Sequence, residues 1–245
     1  MAFEEREEFW RKKNVDGIVN LDLYGNTRPR ILVIAHEPWM DEGADPLEFD
    51  MLRAIEVYGK NPQKKKSALY ESAEIVRKIF DMESREDILF STAWINVKKQ
   101  PQTGSKEKRK EIQAALRINR RFIFGQINQI KPDVILAYNV FDGKEGLWNP
   151  WKEMRGRQLQ YLVPNDEQEV KEIESSYMDP YVEEGVDGHD LLIIDTCHPS
   201  ARREIIPTDA ISNAVHCFLD KEYSLVDSWT NRRDRKKLGM IVFKK

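Results

Sequence analysis

The chain has no apolar run long enough to cross a bilayer, and its first residues, MAFEEREEFWRKK, alternate acid and base instead of forming an apolar segment. A membrane-spanning helix needs roughly 20 consecutive apolar residues, so neither a transmembrane helix nor a signal peptide is expected. Cysteine is scarce. Cys197 and Cys217 have neither the number nor the spacing of a zinc or iron–sulfur site. No metal or other cofactor is expected, and a reducing, cytoplasmic location fits better than a disulfide framework. An excess of either charge is also missing. Lys and Arg number 39 against 42 Asp and Glu, a net charge of −3, which argues against a uniformly basic binder of nucleic acid. Internal repeats and low-complexity tracts are absent too.

What is present is enough apolar sequence for one sizeable core: 40% of 245 residues. A single domain over residues 1–245 is expected, as a monomer. It carries an N-terminal helix over 1–14 and an acidic insertion over about 164–189, whose acid lies between Asp166 and Asp187. The charges are segregated. Base collects at Lys64–Lys66, Lys98-Lys99, Lys106 to Arg121, Arg202-Arg203 and Arg232 to Lys237. Such clustering can give one positive face to an acidic protein, although solvated helix faces explain the runs equally well.

Four short runs rich in apolar residues read as strands: Ile31–Ala35, Asp87–Asn96, Asp133–Tyr138 and Asp190–Thr196. Gln158–Val163 reads as a shorter strand or hairpin arm. Apolar spacing predicts helices over Asp45–Tyr58, Ser67–Phe80 and 106–131. The last has an inner stripe of Ile112, Ala115, Leu116, Ile118, Asn119, Phe122, Ile123, Gln126, Ile127 and Ile130, and a stop at Lys131-Pro132. A final helix from an N-cap at Thr208 is predicted to reach about Trp229. Apolar strands separated by helices predict an α/β fold, a three-layer α/β/α sandwich with a central, mostly parallel four-stranded sheet.

Ligands of such sheets bind beyond the C-terminal strand ends. There the sequence places His36-Glu37-Pro38-Trp39 after the first strand and Asn96-Val97-Lys98-Lys99-Gln100-Pro101 after the second. Asn139 and Phe141 follow the third strand, and His198-Pro199-Ser200-Ala201-Arg202 follows the fourth. A carboxylate, an amide, an aromatic and an imidazole thus converge on one edge. Each has an ordinary structural role open to it. Glu37 could pair with a basic neighbour, Trp39 and Phe49 could be core residues, Asn96 could end its strand, and His198 could sit in a plain turn. His189 and His216 lie outside these segments and read as structural.

The ordered set resembles the motifs of the uracil-DNA glycosylase superfamily, over roughly residues 30–220. Ala35-His36-Glu37-Pro38-Trp39 resembles the first motif, with Ala35 for the usual glycine and Glu37 at the position of the activating aspartate. Phe49 matches the spacing of the phenylalanine that stacks on the flipped base. Asn96-Val97-Lys98 with Pro101 resembles the segment whose asparagine reads the base edge, Asn128–Ala137 (NQIKPDVILA) a helix-to-strand signature of the thermophile-type branch, and His198-Pro199-Ser200-Ala201 the last motif. The cysteines of the iron–sulfur branch are missing.

The resemblance implies a monofunctional DNA glycosylase that hydrolyses the N-glycosidic bond of a flipped uracil or modified pyrimidine. It makes Glu37 and His198 the catalytic pair. Asn96, Phe49, Trp39 and His36 are implied on the substrate side, His36 through its backbone or as support. Lys98, Lys99, Ser200, Arg202 and Arg203 are implied on DNA, the partner. Excision of bulky modified cytosine in phage defence, a non-catalytic DNA-binding module and an enzyme of free nucleosides are the other readings.

Overall fold

The computed structural model describes residues 16–36, 39–40, 55, 68–80, 85–99, 102–103, 109–141, 145–176, 178–185, 188–197 and 207–227. Four strands are buried along their whole length: β2 (Ile31–Ala35), β4 (Ala93–Asn96), β6 (Val134–Tyr138) and β9 (Leu191–Thr196). A strand with no polar face must be covered on both sides, and crossover connections do this for parallel strands. These four pair in parallel in the order β4-β2-β6-β9.

Alternation along the strands divides the core in two. Ile31, Val33, Leu136 and Ile194 face a layer built by α2 (Ala68–Phe80), α3 (Arg85–Ser91), α6 (Glu167–Ser175) and α7 (Thr208–Asp220). Leu32, Ile34, Ile135 and Ile193 face α1 (Leu21–Asn26), α4 (Arg109–Ile130) and α5 (Trp148–Arg155). Helices therefore lie against both faces. At about 25 cal/mol per Å² of apolar surface removed from water, these two clusters are the main source of stability.

The sheet is larger than the four strands expected. It has eight, in the order β1-β4-β2-β6-β9-β8-β7-β10, with the parallel quartet at its centre. The flanking strands β1 (Gly17–Ile18), β8 (Met178–Glu183), β7 (Leu159–Pro164) and β10 (Tyr223–Val226) all join antiparallel. Two further strands, β3 (Trp39–Met40) and β5 (Gln102–Thr103), form a small parallel pair of their own.

Four features differ from the sequence reading. The second predicted strand begins as helix α3 and becomes strand only at Ala93; short apolar runs suit either state. The acidic insertion is half helix and half sheet, because β8 pairs with β9 through six residues, Pro180 opposite Ile194 among them. The last helix has Pro207, not Thr208, at its N-cap and stops at Asp220, where Lys221 turns left-handed at φ 60°; the chain then returns as β10. Ile118, expected in the inner stripe of α4, is 61% exposed. The predicted helices over 1–14 and Asp45–Tyr58 lie outside the described residues, apart from buried Ile55.

Candidate functional site at the C-terminal strand ends

The backbone carries the sheet's register past the strand ends. The amide of Val97 donates to the carbonyl of Ala35 at 2.9 Å, and that of Lys98 to the carbonyl of His36 at 2.7 Å. The segments after β2 and β4 therefore leave the sheet side by side. Farther out, Trp39 pairs with Gln102 and Met40 with Thr103, joining the same two segments again. Across the sheet, the amide of Asn139, at φ 52°, donates to the carbonyl of Thr196 at 2.9 Å, while the amide of Val140 donates to the Asp195 carboxylate at 3.2 Å. These bonds tie the ends of β6 and β9. Since β6 lies between β2 and β9, strand spacing puts the ends of those two strands about 10 Å apart.

Asn96 and His36 are both at this edge, 4% and 8% exposed. Asn96 is held by Asp16, one residue before β1. The Asp16 carboxylate accepts the Asn96 backbone N–H at 2.7 Å and its side-chain amide at 3.2 Å. The same carboxylate pairs with the Lys99 ammonium. Lys99 also donates to Gln126 Oε1 at 3.0 Å and sits 4.8 Å from the centroid of the Phe122 ring. Side-chain exposure is 1% for Asp16 and 3% for Lys99. Burial lowers the Lys99 pKa, and the Asp16 charge and hydrogen bond only partly oppose that.

This corrects the expectation for Lys99, whose ammonium is buried against Asp16, Gln126 and the Phe122 ring and so does not face a DNA phosphate. Lys98 is 26% exposed at its side chain and within 3.5 Å of Glu111. Phe141 is corrected too. It is fully buried, 5.4 Å from Trp151 and 6.2 Å from Tyr181 ring to ring, and belongs to the core rather than the edge. Trp39 is placed by its backbone in β3. Glu37, Phe49, His198, Ser200, Arg202 and Arg203 lie outside the described residues; Glu37 directly follows His36, and His198 directly follows Cys197 at the end of β9.

Asp16 and Gln126 were not singled out as site residues. For Asp16 the sequence offers no signal, since an Asp-Gly pair reads as a turn. For Gln126 the signal was present: Asn119 and Gln126 stand seven residues apart on the inner stripe of α4, and a buried amide must find a partner. Asn119 donates to the Val97 carbonyl at 2.8 Å and Gln126 accepts from Lys99, so both brace the segment that follows β4. Among the described residues, no group of three His, Cys, Asp or Glu side chains comes together as a metal site, and no helix is long and apolar enough to cross a membrane. No protein-family model matches the chain, and no curated protein or solved structure matches it.

Proposed function

We propose that this chain is a DNA glycosylase that removes a flipped-out uracil or modified pyrimidine and leaves an abasic site. The observation that carries the reading is the joining of the segments after β2 and β4, those bearing Ala35-His36-Glu37-Pro38-Trp39 and Asn96-Val97-Lys98, by backbone bonds at the C-terminal ends of the parallel strands of a mixed sheet. That is where a fold of this class binds its ligand.

Cleavage of the N-glycosidic bond puts positive charge on the sugar and negative charge on the base. Glu37, ionised, stabilises the oxocarbenium and orients the attacking water, taking its proton as the carbon–oxygen bond forms. A neutral His198 donates a hydrogen bond to the base oxygen that gains negative charge. Asn96, with its amide held by Asp16, reads the base edge. Phe49 stacks on the base, a contact worth about 1–3 kcal/mol that offsets part of the cost of flipping, and Trp39 closes the pocket. Lys98, Ser200, Arg202 and Arg203 meet the flanking phosphates.

The test is excision from oligonucleotides carrying uracil, hypoxanthine, a thymine mismatch or modified cytosines. Alkali-labile strand scission that falls at least about 100-fold in Glu37→Gln is the expected result, and the cleaved oligonucleotide names the base. DNA binding without scission of any substrate would replace the reading with a non-catalytic module.

A further inference from the structure

The opposite, N-terminal edge of the parallel strands holds a pocket of about 240 Å³. Arg30 leads into β2, Pro132 precedes β6, Leu191 opens β9 and Glu183 closes β8, so the pocket is separated from Asn96 and His36 by the length of the strands. We propose that it binds the phosphate group of a small molecule, a site independent of the glycosylase reading.

Four permanent cations line it, Arg30, Lys131, Arg155 and Arg157, against one carboxylate, Glu183. With Asp133, which holds Arg30 from behind at 2.9 Å, two positive charges remain uncompensated in a chain whose net charge is −3. The two carboxylates set the frame. Glu183 receives Nε and Nη2 of Arg155 at 3.1 and 2.6 Å, and Asn128 receives an N–H of Nη1, so three of the five N–H groups of Arg155 are committed to the frame. Arg30 commits Nε and Nη2 to Asp133 and keeps Nη1. Arg157 commits only Nη1, in a 3.3 Å contact with Glu183. Among the described residues Lys131 has no ion pair.

Arg30, Lys131 and Arg157, the cations least committed to the frame, therefore bring N–H groups to one concavity that Ile127, Pro132 and Leu191 also line. A phosphate, with two charges and three acceptor oxygens, matches three converging donors better than a carboxylate does. Asp133 already immobilises the guanidinium plane of Arg30, so ordering that side chain costs little entropy, whereas Lys131 and Arg157 become ordered on binding. The volume lies below the roughly 300–1,000 Å³ of drug-sized sites, which suits inorganic phosphate or the phosphate end of a phosphomonoester.

Calorimetric titration of the full chain with inorganic phosphate, adenosine 5′-monophosphate and adenosine tests this. The phosphate-bearing probes bind and adenosine does not; tighter binding of the nucleotide assigns the site to a phosphomonoester, and tighter binding of phosphate to the free ion. Lys131→Gln combined with Arg157→Gln, which leaves the Arg30–Asp133 and Arg155–Glu183 pairs intact, weakens both about tenfold or more. Lys152→Gln, an exposed charge on α5 outside the pocket, leaves them unchanged. Failure of both phosphate probes to bind overturns the proposal, as does equal binding of adenosine or binding that survives the double substitution in a variant with an unchanged circular dichroism spectrum.

Discussion

The two ends of the parallel strands bury charge in different ways. At the C-terminal end the Asp16 carboxylate faces one ammonium, Lys99, with exposures of 1% and 3%, the amides of Asn96 and Gln126 bond to the pair, and Asp195 accepts a backbone N–H. At the N-terminal end two carboxylates are outnumbered. Asp133 is 15% exposed and holds Arg30, while Glu183, 1% exposed, receives Arg155, Arg157 and, at 2.5 Å, the indole N–H of Trp151. The dry pair is self-contained and fixes the position of a neighbouring amide. The wetter cluster has donors left over. A closed charge pair is suited to hold a residue in place, and an open one to receive a ligand.

The largest effect should come from opening the closed pair. Asp16→Asn leaves the Lys99 ammonium buried without its counter-charge, and chemical denaturation should show a loss of about 3–5 kcal/mol. Adding Lys99→Met should restore part of that loss; a double variant as unstable as the single one would mean that Asp16 acts mainly through Asn96. At the other end the same kind of change should cost less, because both arginines reach solvent, at 16% and 35% exposure. Glu183→Gln should lower stability by about 1–3 kcal/mol in the same measurement, and a loss as large as that of Asp16→Asn would erase the contrast.

The smallest effect concerns acid. Burial pushes the Asp133 carboxyl up, but the side-chain and backbone hydrogen bonds from Arg30 outweigh it and hold the group below its usual value of 3.8. A depressed carboxylate adds stability that is fully present above the ordinary value and is lost as pH falls through the folded one. Asp133→Asn should therefore flatten the stability profile below about pH 4, and an unchanged acid limb would show that the Arg30 contact contributes nothing.

The centre of this fold could be read from sequence and its margins could not, for identifiable reasons. All four parallel strands were visible because each lies in an apolar run, which burial on both faces demands. β8 was hidden because MDPYVE contains a proline and two acids. Its Glu183 is neutralised by Arg155 and Arg157, which stand on either side of Gly156; that residue, at φ 73°, makes the left-handed turn ending α5. No local pattern announces a partner supplied from another element. β10 was hidden because α7 ends without the glycine that marks most such stops, Lys221 taking the left-handed position itself. At the candidate site, placing Asn96, His36 and Lys98 on one edge needed only strand ends. The inward turn of Lys99 depended on Asp16, distant in sequence and attached by a two-residue strand.

The segments leaving β2, β4, β6 and β9 are fastened to one another largely through peptide groups: Val97 to Ala35, Lys98 to His36, Asn139 to Thr196. Peptide bonding does not depend on which side chain is attached. Selection can therefore exchange residues along this rim, altering what is recognised, without first having to rebuild the frame that presents them.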